Sequence, residues 1–130
     1  MINRLAAIGF VLIASVLPAR ATEWMICSDG DKASIRVLLG QMDVIAVIDI
    51  EITVGRKTWS TKGNHGATPI TKGQAFETAD QILIDVTDSA VNSIVARLRL
   101  FKASEGKDYV SGGTLQMAGE GVWAVTCSGP

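Results

Sequence analysis

The sequence has few of the residues on which enzyme chemistry most often relies. It contains one histidine, two cysteines and three prolines among 130 residues, and aromatic side chains make up only 5% of it. A metal site usually needs several histidine or cysteine ligands close together, so we expect no metal and no cofactor. The single histidine, His65, lies in a Gly-Asn-His-Gly stretch that no Gly-x-Ser-x-Gly nucleophile motif accompanies. The composition therefore predicts a protein that is not an enzyme.

Charge of either sign is also scarce. Charged residues make up 19% of the chain, and 12 Lys+Arg stand against 13 Asp+Glu. A protein that binds nucleic acid by neutralising phosphates needs an excess of lysine and arginine. The chain also has no glycine-rich phosphate loop and no paired aromatic platform. We therefore expect no nucleic-acid partner.

The first 21 residues have the layout of a cleaved secretory signal peptide. An arginine precedes an uncharged run over residues 5–17, and Ala19 and Ala21 stand at the −3 and −1 positions of a cleavage site. This run is shorter than the roughly 20 apolar residues that cross a bilayer. We predict a single mature domain, residues 22–130, that is periplasmic or secreted and does not span a membrane. Two arginines lie in the removed segment, so the mature net charge falls to near −3.

The two cysteines stand near the two ends of this mature domain. A redox-active pair would be expected as Cys-x-x-Cys or with a cysteine at the start of a helix, and neither pattern is present. In an oxidising compartment, Cys27 and Cys127 are instead expected to form one structural disulfide. The bridge would require the first and last segments of the fold to lie side by side.

Hydrophobic residues alternate with polar ones along most of residues 22–130. This period of two is typical of strands and predicts an all-β fold, a small antiparallel barrel or sandwich of about eight strands. The even positions of residues 44–54 are all apolar, and we expect the first half of that segment to be buried on both faces. Residues 62–73 are polar and glycine-rich, and they are the longest predicted loop.

Residues 88–102 allow two interpretations. As a strand, they place Ile94 and Leu98 on one face with Arg97 and Arg99 on the other. As a helix, Asp88 would cap the first turn and the apolar residues would form a stripe. We favour the strand, with the two arginines in a cross-strand charge ladder with acids such as Asp85.

The tryptophan at position 59 is a candidate contact with a partner. Trp59 follows two cations and precedes the predicted loop, where an exposed ring would resemble a recognition anchor. Packing in the core is the alternative, and we favour it.

Parts of the chain resemble the periplasmic and membrane-bound inhibitors of C-type lysozyme. The likeness lies in the opening Trp-Met-Ile-Cys stretch that ends at Cys27, in the closing Cys127, and in the segment from Ser104 to Tyr109. Those inhibitors are small barrels whose Ser-Gly-x-x-Tyr loop enters the lysozyme cleft. Here Glu105 separates the serine from the glycine. The resemblance implies that Ser104, Lys107 and Tyr109 contact the enzyme.

We accordingly expect an exported, non-enzymatic binding or structural protein whose partner is a basic protein such as lysozyme. The alternative is a small-ligand carrier or small hydrolase with a site inside the barrel. A filled interior with a protruding segment from Ser104 to Tyr109 would favour the binding protein. A polar cavity on which Asp85, Arg97 or His65 converge would favour the alternative.

Overall fold

A computed structural model describes residues 22–40, 43–64 and 66–130. In these ranges the chain forms strands and no helix, and thus they contain no helix long and apolar enough to cross a membrane. The strands are β1 (Glu23–Ser28), β2 (Ala33–Gly40), β3 (Ala46–Val54), β4 (Lys57–Ser60), β5 (Thr68–Glu77), β6 (Gln81–Asp88), β7 (Ile94–Glu105), β8 (Asp108–Met117) and β9 (Gly121–Ser128). The predicted signal peptide, residues 1–21, and His65 lie outside the described residues.

The strands form one closed barrel. Each strand pairs with the next along the chain, and β9 pairs with β1 to complete the circle. The pairs are antiparallel except for β4 and β5, which run parallel over two residue pairs. The prediction of a small all-β barrel is therefore confirmed, with nine strands and one short parallel contact.

The alternation of the sequence fills the interior of the barrel with apolar side chains. In β2, Ala33, Ile35 and Val37 are buried while Arg36 is exposed. The largest fully buried side chains are Met25, Ile35, Ile50, Ile52, Ile84, Leu98, Leu100 and Leu115. Burying one such side chain fully contributes about 1.5–3 kcal/mol. The middle of the barrel is therefore a packed core.

The disulfide closes this barrel. Cys27 and Cys127 lie directly opposite each other on β1 and β9, with their Cα atoms 4.0 Å apart, and their sulfur atoms are bonded. The predicted pairing is confirmed, and the first and last strands do lie side by side. The seam between β1 and β9 contains only three residue pairs, so the bridge lies where the barrel has few ladder hydrogen bonds.

The prediction of a long loop over residues 62–73 is wrong in its second half. Strand β5 begins at Thr68 and is 10 residues long. Its ladder with β6 is irregular between Lys72 and Ala75, and a Cβ on Gly73 would lie 2.6 Å from the carbonyl oxygen of Asp85. Gly73 therefore belongs to an irregular strand that approaches its neighbour closely.

The prediction that the first half of residues 44–54 is buried on both faces is also wrong. Val44 is 71% exposed and Ile48 is 38% exposed. The ladder between β2 and β3 shifts register between Leu38 and Leu39. A bulge of this kind reverses which alternate residues face inward, so Val47 and not Ile48 packs against the core.

The strand interpretation of residues 88–102 is confirmed, because β7 runs from Ile94 to Glu105. A turn precedes it, and the carboxylate of Asp88 accepts a hydrogen bond from the backbone N–H of Asn92 at 2.8 Å. That bond is the main reason why the pKa of Asp88 lies below its usual value. In the same turn Val91 has a φ of 59°, in the left-handed region.

Candidate functional site

The mouth of the barrel holds a cavity of about 690 Å³. It lies at the end of the barrel where β1 and β8 begin and where β5 and β7 finish. Its polar lining comprises Glu23, Asp43, Glu77, Lys102, Ser104 and Tyr109. Its apolar lining includes Met25, Leu39 and Ile82, which connect it to the core below. Small-molecule sites typically measure about 300–1,000 Å³, so this cavity has room for a small ligand.

The cavity has an acidic balance. Lys102 faces inward, two residues after the buried Leu100 of β7. Its Nζ lies 3.3 Å from Oε2 of Glu77. The Lys102 side chain is only 15% exposed, whereas that of Glu77 is 42% exposed, so the pair joins a sheltered cation to an acid at the solvent edge of the cavity. Within the described part of the chain, neither Glu23 nor Asp43 takes part in an ion pair. These two carboxylates therefore have no ion-pair partner within residues 22–40, 43–64 and 66–130.

Ser111 is a buried polar residue on the inner face of the barrel, and it is not among the residues that line the cavity. It pairs with Lys102 across the β7–β8 ladder and shares the inner face with Tyr109, two residues before it. The Ser111 side chain is buried, and its Oγ has no hydrogen-bond partner among the described residues. An unpaired buried hydroxyl costs about 1–3 kcal/mol. Among the described residues, Ser111 is thus a buried hydroxyl without a partner, and it is closed off from the cavity.

The β7–β8 hairpin projects beyond the barrel wall. Strand β6 pairs with β7 only as far as Phe101, and β9 pairs with β8 only from Ser111 onward. Strands β7 and β8 continue to pair with each other as far as Glu105 and Asp108. At about 3.4 Å per residue, the hairpin extends roughly 10 Å past its neighbours.

The predicted contact residues of the Ser104–Tyr109 segment lie in this projection. Ser104 and Tyr109 are directly opposite each other and both line the cavity. Gly106, with a φ of 59°, and Lys107 form the turn at the tip, where Lys107 is exposed. The structure thus brings Ser104 and Tyr109 together at the mouth and places Lys107 on the outermost point.

The outer side of the hairpin base is apolar and exposed. Phe101 is 66% exposed and Val110 is 68% exposed. Because Phe101 pairs with Gly112, Val110 is its diagonal neighbour across the ladder. These two side chains form an exposed apolar pair beside the projecting hairpin.

Trp59 lies apart from the hairpin. It pairs with Ile52 in the β3–β4 ladder and is half-buried, with its side chain packed against the core. It also lines a separate hollow of about 250 Å³, together with Thr58 and Asn64. The structure therefore does not bring Trp59 together with Ser104, and its packing matches the core alternative.

Asp85 of β6 and Arg97 and Arg99 of β7 lie on the outer face of the barrel. Asp85 is directly opposite Arg97, and the guanidinium of Arg99 donates a hydrogen bond to Asp85 at 2.7 Å. The predicted cross-strand charge ladder is confirmed, and Asp85 and Arg97 do not converge on a polar cavity inside the barrel.

The positions of Lys102 and Glu77 in the cavity lining were not found from the sequence. Continuing the period of two from Leu100 would have placed Lys102 on the inner face. No sequence pattern indicates that β5 supplies Glu77 to the same cavity, because that contact depends on how the barrel closes.

The fold and the cavity define the described part of the chain as a nine-stranded closed β-barrel with an acidic mouth. Across residues 22–40, 43–64 and 66–130, no group of three or more histidine, cysteine or acidic side chains is arranged to hold a metal ion. Comparisons with protein families, with curated proteins and with solved structures find no match to this chain.

Proposed function

We propose that this protein is an exported, non-enzymatic binding protein that uses the β7–β8 hairpin to contact a basic protein partner. Inhibition of a cell-wall-degrading enzyme such as lysozyme is the most concrete form of this function. The observation that carries the proposal is the projection of the hairpin roughly 10 Å past both neighbouring strands. A projection of this kind can enter a concave site on another protein.

The distribution of side chains on the hairpin supports a protein contact. Tyr109 is half exposed, and tyrosine is enriched among the residues that dominate binding energy. The exposed pair of Phe101 and Val110 provides apolar area at the base. The filled interior of the barrel also favours binding by the surface over chemistry in the core.

Charge and compartment agree with the proposal. A mature net charge near −3 would favour encounter with a basic protein at low ionic strength. The disulfide suits an oxidising compartment outside the cytoplasm, which is also where the signal-peptide pattern would deliver the chain.

A lysozyme assay tests this function directly. The purified, disulfide-bonded protein is titrated into C-type lysozyme acting on bacterial cell walls, and complex formation is followed by gel filtration. Tyr109→Ala is expected to weaken inhibition by roughly 30-fold or more, the effect of losing a hot-spot side chain of about 2 kcal/mol. Lys107→Ala is expected to weaken it less, and Lys32→Ala, an exposed lysine in the β1–β2 turn, is the matched control.

Two outcomes would contradict the proposal. One is the absence of both inhibition and complex at micromolar excess, which would exclude lysozyme. The other is inhibition that Tyr109→Ala and Lys107→Ala leave unchanged, which would remove the hairpin from the contact.

A small-ligand carrier is the second candidate function. The cavity of about 690 Å³ favours it, because the cavity combines polar groups with an apolar floor.

A further inference from the structure

We infer that the outer face of strands β5 to β8 is an interface between two copies of this chain, which pack face to face with their β7 strands antiparallel. This inference goes beyond the proposed function. It assigns the outer side of the β7–β8 hairpin to a second copy. It leaves the inner side, which carries Ser104 and Tyr109, free for a different partner.

The middle of this outer face is apolar and exposed. Both phenylalanines of residues 22–130 lie on it, Phe101 on β7 and Phe76 on β5, and Phe76 is 61% exposed. Leu83 of β6 connects them, because it is directly opposite Phe76 and diagonal to Phe101. Val110 continues the apolar surface on β8. An apolar surface that runs across four neighbouring strands marks a site of interaction.

The two ends of this face differ in charge. Arg97 is exposed four residues before Phe101 on β7, and Glu105 is exposed four residues after it. Within the described part of the chain, neither Arg97 nor Glu105 takes part in an ion pair. Asp108 lies directly opposite Glu105, and Lys107 lies between them on the turn. The hairpin tip therefore has two acids and one cation.

These charges favour a second copy in one particular arrangement. At the other end of the face Asp85 already holds the guanidinium of Arg99, so Arg97 supplies the net positive charge there. Arg97 and Glu105 both lie about 14 Å from Phe101 along the strand. A two-fold axis that runs across β7 at Phe101 therefore places Arg97 of each copy over Glu105 of the other. Parallel stacking would instead bring the two acidic tips together.

The shape and size of the face predict a weak dimer. Gly112 is directly opposite Phe101, so no side chain occupies the outer surface beside that ring. Two sheets packed face to face lie about 10 Å apart, which leaves room for the rings of both copies. The face is two strands wide at the hairpin and four strands wide below it, or roughly 400 Å² per copy. This is about half of what a stable complex uses, so we expect a reversible dimer with a Kd of roughly 0.1–1 mM.

Charge-reversal variants test the arrangement. Self-association of the disulfide-bonded protein is followed by sedimentation equilibrium from micromolar to millimolar concentration. Arg97→Glu and Glu105→Arg are each expected to weaken the dimer by roughly tenfold or more, since each creates two like-charge contacts across the two-fold axis. The double variant Arg97→Glu/Glu105→Arg is expected to recover the parental Kd within about threefold, because it exchanges the two signs. Lys32→Glu, at an exposed position in the β1–β2 turn, is the control for the change in net charge and should leave the Kd unchanged.

A second pair of variants tests which side of the hairpin is used. Phe101→Ser is expected to weaken the dimer by more than roughly tenfold, because it removes the aromatic contact at the two-fold axis. Its ring is exposed in the single chain, so the variant should unfold at a urea concentration close to that of the parent. Tyr109→Ala changes the inner side of the hairpin and is expected to leave the dimer unchanged.

Three outcomes would overturn the inference. A monomer at every concentration would exclude a second copy, and weaker binding of lysozyme by Phe101→Ser would then assign the face to that enzyme. A dimer that Phe101→Ser leaves unchanged would place the interface elsewhere. Failure of the double charge variant to recover would exclude the antiparallel contact of Arg97 with Glu105. A dimer that responds to these variants but does not inhibit lysozyme would support the inference and count only against the proposed function.

Discussion

Replacing both bridge cysteines by alanine tests whether the disulfide holds the barrel closed. The bridge joins residues 100 positions apart in the sequence, and the chain-entropy model gives a loop of that length a stabilisation of about 4.7 kcal/mol. A domain of this size is stable by about 5–15 kcal/mol in total. The double variant Cys27→Ala/Cys127→Ala is therefore expected to lose at least about 30% of its free energy of unfolding.

The structure gives a local reason to expect a loss of this size. The β1–β9 seam has three residue pairs, whereas the β1–β2 ladder has six. Without the bridge, opening this seam would break few hydrogen bonds and would expose the core around Cys27, which has no solvent exposure. Amide hydrogen exchange in β1 and β9 is therefore expected to rise more than exchange in β6 and β7.

Urea denaturation of three samples separates the effect of the cross-link from that of the side chains. The oxidised parent, the parent reduced with dithiothreitol and the double alanine variant are compared at neutral pH. The reduced parent keeps both cysteine side chains, so its loss reports the cross-link alone. A loss below about 1 kcal/mol in the reduced parent, with unchanged exchange at the seam, would refute the reasoning.

Three further predictions concern the barrel itself. Gly113→Ala is expected to destabilise the protein by several kcal/mol, because a Cβ at this position would clash with the backbone of Arg99. Thermal unfolding measures this loss of stability, and a melting temperature equal to that of the parent would contradict the prediction. Val91→Asn is expected to stabilise the folded protein by about 1 kcal/mol, since asparagine tolerates the left-handed conformation that a β-branched residue resists. Urea denaturation measures this gain, and a variant less stable than the parent would contradict the reason given. Hydrogen bonds from backbone N–H groups, chiefly that of Ala33, to the carboxylate of Asp29 lower the pKa of Asp29. Hydrogen bonds, chiefly from the backbone N–H of Asn92, lower the pKa of Asp88 in the same way. The stabilisation that these two ionised carboxylates provide is present above the unfolded pKa of about 3.9 and is lost as pH falls through the lower folded pKa. The double variant Asp29→Asn/Asp88→Asn should therefore lose less stability than the parent when the pH is lowered from neutral to 2. An equal loss in both proteins would exclude these carboxylates as a cause of acid sensitivity.

Local patterns in the sequence were sufficient to predict most of the strands. Strands such as β2 and β6 bury every second residue against a single core. Because of this, apolar and polar side chains alternate along their sequences, and the alternation can be recognised without the structure. The pairing of Cys27 with Cys127 could also be predicted, because two cysteines in one chain allow only one intramolecular bridge.

The sequence predicted least well where one strand depends on its neighbour. The bulge between Leu38 and Leu39 changes which residues of β3 face inward, and no alternation within β3 alone reveals it. Likewise Gly73 suggested a loop, although it is required by a close approach to Asp85 on the adjacent strand. In both cases the deciding contact lies in a different segment of the chain.

The sequence by itself determined that the chain is all-β, with one bridge near its ends, because these properties depend on local periodicity and on residue counts. Only the tertiary structure decided that the barrel closes through β1 and β9 and that β7 and β8 extend beyond their neighbours. It alone placed Glu23, Glu77 and Lys102 around one cavity. The reason is physical: strand closure and register set distances between residues far apart in the sequence, and those distances create the candidate site.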